Sequence, residues 1–195
     1  MKKSIQLIII SATLVSILSF VGVKLVQAWV VQNPKWDISS STVVNYRANE
    51  LPTAFQNRLS DARWSWNNVS PARIELYRND TSYGLRVYDG YIDGSGGTLG
   101  VTSRYWPWAT YISWATIKVE ENENWYTGTG TPGATEIDLQ SLLTHELGHA
   151  LAILHTNASC TGTSRPTMCS GQPAGTNYMR SLESDDQGAL NYLYP

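Results

Sequence analysis

His145, Glu146, His149 and His155 form the pattern H-E-x-x-H-x-x-x-x-x-H, and the chain's three histidines all fall on it. On a helix, residues four apart project from one face, so His145 and His149 can converge on a single ion. Glu146 lies one step round from His145, near enough to reach a water on that ion without ligating it. His155 cannot share that face of a straight helix. The helix is therefore expected to stop near Leu151 and the chain to turn back beneath the metal. Three imidazole nitrogens leave one position of a tetrahedral zinc open, the arrangement of a catalytic site and not of a closed structural one. Zinc lowers the pKa of its water towards about 7, a neighbouring carboxylate takes the proton, and the metal stabilises the oxyanion formed on a scissile carbonyl. A bare H-E-x-x-H arises by chance. Histidines used for packing or for the surface would not all keep to this longer spacing.

The elements that must position these residues are legible in outline. The helix carrying His145 and His149 is predicted to start at Asp138, a good N-cap, and to run through Leu139, Leu142, Leu143, Leu147 and Ala150. Upstream, Ser41–Tyr46 reads as a strand. Leu51–Asn67 reads as a helix with Pro52 in its first turn and Leu51, Ala54, Phe55, Leu59, Ala62 and Trp66 at mostly helical spacing. Ile74–Tyr77, Leu85–Tyr88 and Ile112–Glu120 are predicted strands, and the glycine-rich stretch Asp93–Gly100 is irregular. A last helix is expected from about Glu183 to Leu193. Strands first and helices late point to the α+β class.

Composition sets the compartment. Lys2 and Lys3 precede an apolar run, Ile5–Val23, and Val26-Gln27-Ala28 offers a small-residue cleavage site. Residues 1–28 therefore read as a signal peptide, with an uncleaved membrane anchor as the alternative. Either way the domain is expected outside the cytosol, secreted or anchored. Residues 29–35 look like a lead-in and residues 36–195 like one domain, expected to be a monomer. Beyond residue 28 the chain carries 14 − 3 = 11 basic against 16 acidic side chains, a formal charge of −5. With no basic stripe, nucleic acid is not an expected partner. Cys160 and Cys169 read as a disulfide, with free thiols or metal ligands as alternatives.

Beyond the histidines, Thr167-Met168 and Leu182-Glu-Ser-Asp-Asp186…Leu193-Tyr194 complete a pattern that resembles the metzincin clan, and within it the matrixins, relatives of the matrix metalloproteinases. The resemblance also takes in Trp36, the Ala62…Trp66 helix and the Asp93–Gly100 segment, and so covers most of residues 36–195. It implies a metzincin catalytic domain: a five-stranded mixed sheet with helices above the cleft and a small, irregular C-terminal subdomain. It implies Met168 as the residue of a turn beneath the zinc ligands, with Asp185 and Asp186 bracing that turn. Leu99-Gly100-Val101-Thr102 becomes an edge strand that pairs with extended substrate. Asp93, Glu120 and Glu123 match calcium-binding carboxylates of the family, a solvated acidic turn being the alternative. Val101 and Lys118 stand where relatives place ligands of a second zinc, which is therefore not expected. Ser170, two residues after Met168, removes the tyrosine ligand of astacin-like relatives. Ala152 replaces a usual Gly at the bend between the second and third ligands, where a left-handed conformation would strain it. The 195 − 28 = 167 residues after Ala28 are expected to leave no room for a prodomain.

The reading that follows is a secreted zinc endopeptidase with Glu146 as general base, binding one zinc and acting on protein or peptide substrates. Two other readings stand beside it: a non-catalytic peptide-binding module on the same fold, which loss of Glu146 would have favoured, and an unrelated zinc hydrolase sharing only H-E-x-x-H.

Overall fold

The computed structural model describes residues 28–107 and 110–195. The signal or anchor segment thus lies, but for Ala28, outside the described residues. The elements in chain order are β1 (Val43–Arg47), α1 (Thr53–Asn67), β2 (Glu75–Arg78), β3 (Leu85–Gly90), β4 (Gly100–Tyr105) and β5 (Trp114–Glu120). The two-residue strands β6 (Trp125–Tyr126) and β7 (Ile137–Asp138) follow, then α2 (Leu139–Ala150), a 3-10 turn at Tyr178–Arg180, and α3 (Ser184–Leu193).

The main sheet has five strands in the order β2-β1-β3-β5-β4. β1 runs parallel to β2 and β3, and β3 parallel to β5, whereas β4 is antiparallel to β5. Parallel neighbours need a crossover, and α1 supplies the one between β1 and β2. Alternate residues of the strands turn inward, so Val44, Leu76, Leu85, Val87, Ala115, Ile117 and Val119 are buried on one apolar face. Leu59, Ala62 and Trp66 of α1 are buried in the same core, as are Leu139, Leu142, Leu143 and Leu147 of α2. The α+β expectation and the mixed five-stranded sheet are therefore observed.

Several boundaries differ from the sequence reading for local reasons. Pro52 is the N-cap of α1 and not part of its first turn; its carbonyl accepts from the amides of Phe55 and Gln56, and its missing N–H costs nothing there. Ala54 stays exposed at the start of that helix, ahead of the first residues that reach the core. β5 starts at Trp114 because the amide of Ile112 is already engaged by the carbonyl of Lys35. Among the described residues no helix is long and apolar enough to cross a membrane.

What matters for a site is how α2 is held beneath β4. Trp66 Nε1 donates to the carbonyl of Thr144 at 2.8 Å, locking α1 to the middle of α2. At its C-terminal end α2 has orphan carbonyls. Trp36 Nε1 takes the one of Ala150 at 2.8 Å and the Tyr194 hydroxyl takes that of Leu151 at 3.1 Å. Both tethers come from opposite ends of the domain.

Candidate metal centre

The first turn of α2 is fixed by Asp138, whose side chain accepts from the amide of Ser141 at 2.8 Å. The same buried carboxylate is gripped by Arg180, with Nε at 3.0 and 3.1 Å from its two oxygens. At the other end the amide of Ile153 bonds to the carbonyl of Gly148 and that of Ala152 to the carbonyl of His149, both at 3.0 Å. That pair of bonds is a Schellman motif with Ala152 as its left-handed residue, at φ 72°. The bend expected from the position of His155 is thus formed, and formed by alanine. Ala costs about 1–2 kcal/mol in this region relative to Gly, against about 0.4–1 kcal/mol of extra unfolded-state entropy that Gly brings. Ala152→Gly is expected to stabilise by about 0.5 kcal/mol, read from denaturant midpoints. A loss of 1 kcal/mol or more would mean that the buried methyl matters more than the backbone.

After the bend, residues 152–157 lie against the lead-in. Val31 and Ile153 form an antiparallel bridge. Gln32 N reaches Ala152 O at 3.0 Å, Leu154 N reaches Val30 O at 2.8 Å and Asn157 N reaches Ala28 O at 2.9 Å. Residues 28–32 are therefore one wall of the segment that carries His155.

The three histidines come together. Nε2 of His155 is 3.2 Å from Nε2 of His145 and 3.2 Å from Nε2 of His149. Nδ1 of His145 donates to Thr167 O at 2.7 Å, and Nδ1 of His149 donates to Ile153 O at 2.8 Å. A carbonyl only accepts, so both Nδ1 atoms carry the hydrogen and both Nε2 lone pairs face the common centre. Burial, aided by the neighbouring His149, pushes His145 down to about 3 against the Thr167 carbonyl, which works the other way. Burial likewise pushes His149 down to about 4, opposed by the Ile153 carbonyl. The three Nε2 atoms converge, and those of His145 and His149 belong to neutral rings. Nitrogens about 2.05 Å from one tetrahedral zinc would be about 3.3 Å apart, close to the spacing found. Among the described residues this is the one group of three metal-ligating side chains that could share an ion.

Behind the histidines lies a second layer. Asp186 accepts from the amides of Thr167 at 2.8 Å, Met168 at 3.0 Å and Glu183 at 2.9 Å. It thereby braces the turn whose carbonyl orients His145. Burial raises its carboxyl to about 6, although these three donors pull the other way. Asp185, expected on the same turn, accepts instead from the hydroxyl of Thr156, next to His155, while Thr156 N bonds to Met168 O at 2.9 Å. Met168 is buried against α2: a Cβ on Gly148 would lie 2.3 Å from its sulfur and 2.8 Å from the Trp66 ring. The sequence reading did not single out Gly148 for this. A helix-interior glycine with a conformational cost of up to 1 kcal/mol was the available signal.

Glu146 is buried at 4 % exposure and lies under β4. Its Oε2 accepts from the Thr102 hydroxyl at 2.5 Å, and the same hydroxyl is 3.1 Å from the Glu146 carbonyl. Burial raises this carboxyl to about 7, with the Thr102 hydroxyl opposing. Gly100 allows the approach, since a Cβ there would sit 3.2 Å from Oε1. β4 is the last strand in the sheet order and, among the described residues, has one unpaired edge. Leu99, Gly100, Val101 and Thr102 line a cleft of about 620 Å³ together with Glu146 and the three histidines.

The three acidic positions each accept hydrogen bonds from the loop around them. Glu120 is fully buried; burial opposes its ionisation, but amides of Asn122, Gly94, Ile92 and Asp93 outweigh this and hold it at about 2. Asp93 accepts from Thr98 N and Oγ1, and Glu123 from Gly96 N. All three carboxylates thus tie down the 92–98 loop. The Lys118 ammonium donates to Tyr91 O at 2.6 Å at the same loop.

Cys160 and Cys169 form a disulfide, with Cα atoms 5.7 Å apart. Cys169 lines the cleft beside Met168. Closing a ten-residue loop is worth about 2.5–3 kcal/mol in the chain-entropy model. Replacing both cysteines by Ser should lower stability by about that amount and raise amide exchange in residues 157–169 before the sheet. Unchanged exchange there would show that the bridge holds nothing in place.

Comparison with known proteins agrees with this geometry. The chain is similar to human matrix metalloproteinase-26, with 25 % identity over 169 residues, 82 % of this chain and 59 % of that protein. It thus spans under two thirds of that relative's length. The family model described as Matrixin matches residues 28–195, and the chain belongs to the matrixin family.

Proposed function

We propose that this matrixin is a zinc-dependent endopeptidase that hydrolyses extended polypeptides, with His145, His149 and His155 as metal ligands and Glu146 as general base. The observation that carries the proposal is the convergence of three imidazole Nε2 atoms beside a buried carboxylate, under the outer edge of β4. Zinc, when bound there, supplies Lewis acidity to a water and to a carbonyl. The chain's own residues do the rest. Thr102 holds one oxygen of Glu146, which leaves Oε1 free to take a proton from water and return it to the leaving amine. A carboxyl near 7 is balanced between accepting and giving at neutral pH. The free edge of β4 offers amides and carbonyls to a substrate laid alongside as a further strand. Met168 and Asp186 keep the floor and the His145 carbonyl partner rigid. An exported location, with the disulfide formed outside the cytosol, belongs to the same reading.

Purified protein should hold about one zinc per chain, and His155→Ala should hold far less. Chelation should abolish cleavage of a denatured protein and zinc should restore it. Full metal in the His155 variant would remove His155 from the ligand set, and metal-loaded protein that cleaves no member of a broad peptide library would favour the peptide-binding module instead.

A further inference from the structure

A second cavity, of about 310 Å³, lies between α1 and the ends of β1 and β2. Its volume is at the low end of pockets that hold small organic ligands. The floor comes from the last register pairs of the two strands. Val44 opposes Leu76 and both are buried, but the next inward pair is Tyr46 opposite Arg78, where the apolar layer ends. Gln56, Ser60 and Arg63, spaced by four and three along α1, form the wall with Asn57. Two guanidiniums, of Arg63 and Arg78, lie close enough to the Tyr46 hydroxyl to offset part of the rise that burial imposes on it, with the Asp80 carboxylate acting the other way.

The charges are not equivalent. Arg78 is paired with Asp80 at 3.0 Å. Arg58, on the same helix, is paired with Asp61 at 2.9 Å. Arg63 has no carboxylate partner among the described residues. One of its terminal nitrogens makes a long bond, 3.3 Å, to Leu76 O, and its plane lies 4.7 Å from the Trp64 ring. Its Nε is buried and has no hydrogen-bond partner among the described residues. Arg58 Nε is likewise buried without a partner, but the Arg58 guanidinium is neutralised by Asp61, whereas that of Arg63 has no counter-charge among the described residues.

From this we infer that the cavity is a binding site for an oxyanion, carboxylate or tetrahedral, held by the guanidinium of Arg63 with hydroxyl donors from Tyr46 and Ser60. A guanidinium presents paired N–H groups that match two oxygens of one anion, which a point charge does not. β1 is three strands from β4, about 14 Å across the sheet, so the ligand would not share the cleft. The anion can be a free solute or an acidic side chain on another polypeptide, and the two are separable by probe.

Unfolding midpoints of the zinc-loaded protein would be followed against sulfate, with sodium chloride at matched ionic strength, alongside Trp fluorescence titrations with free glutamate and with an oligoglutamate. Sulfate at tenfold excess over its Kd should raise the wild-type midpoint by about 4 °C more than that of Arg63→Gln. The variant is the control for the general stabilising action of sulfate. Arg63→Lys, which keeps the charge and loses the fork, should bind several-fold more weakly than wild type, and it serves alone if the Gln variant does not fold. Tighter binding of oligoglutamate than of glutamate assigns the site to a polypeptide partner; comparable binding assigns it to a free anion. Equal responses of wild type and both Arg63 variants, or no saturable response to any probe, would overturn the inference. Cleavage of a short neutral peptide should be the same in all three proteins, which separates this result from the fate of the peptidase proposal.

Discussion

Glu146→Ala is expected to keep about one zinc per chain and the wild-type fold while losing about 10²–10⁴-fold in kcat, with little change in KM. The variant removes the proton acceptor and none of the three nitrogens. Thr102 loses the carboxylate but keeps the Glu146 carbonyl at 3.1 Å as a partner for its hydroxyl. Folding stability should be equal or higher. With zinc removed from both proteins, the folded carboxyl sits near 7, above its ordinary value of 4.5, so its burial weakens the fold as pH rises through that interval, and alanine lifts this penalty. Retention of more than a tenth of the activity would mean that another group takes the proton. A parallel loss of zinc would mean that Glu146 acts on the metal site itself.

Asp186→Ala is expected to cost about 3 kcal/mol at neutral pH and to weaken zinc binding about 10–100-fold. Two opposing effects set the first figure. The variant orphans three backbone donors, those of Thr167, Met168 and Glu183, worth about 2 kcal/mol each. It also recovers the burial cost that raises this carboxyl from 3.8 to about 6, roughly 3 kcal/mol at 1.36 kcal/mol per unit. The donors win. The sign of the pH dependence follows from the raised value. In wild type, stability contributed at Asp186 is complete below about 4 and falls as pH rises towards about 6. The deficit of the variant should therefore shrink between those two values, in urea melts with chelator added to both proteins. A deficit that grows with pH would mean that the ionised carboxylate is favoured after all. Zinc affinity falls for a different reason: without its brace the Thr167 carbonyl no longer orients Nδ1 of His145.

Local pattern made much of this legible. The spacing of His145, His149 and His155 implied one helical face and the need for a bend, and the three side chains do come together. Asp138 is the N-cap expected of it, and the strained residue at the bend is Ala152. Each of these features depends on residues a few positions apart, whose geometry the backbone period dictates. β4 was weaker. Its residues lack alternating burial, so the resemblance, and no periodicity, marked Leu99–Thr102 as an edge strand.

From the sequence alone came the chemistry: which side chains could hold a metal, which carboxylate stands beside them, and what class of fold presents them. Only the tertiary structure decided how they are held. Thr102 meets Glu146 across 44 positions and Val30 of the lead-in meets Leu154 across more than 120, while among the described residues Arg63 is left without a carboxylate partner near the opposite edge of the sheet. Asp185 is drawn to Thr156 and leaves Asp186 alone on the Met168 turn. Such contacts have no period in the chain. They arise because packing one apolar face of the sheet against α1 and α2 brings distant polar groups within reach of one another, and a buried donor or acceptor must take whichever partner that packing supplies.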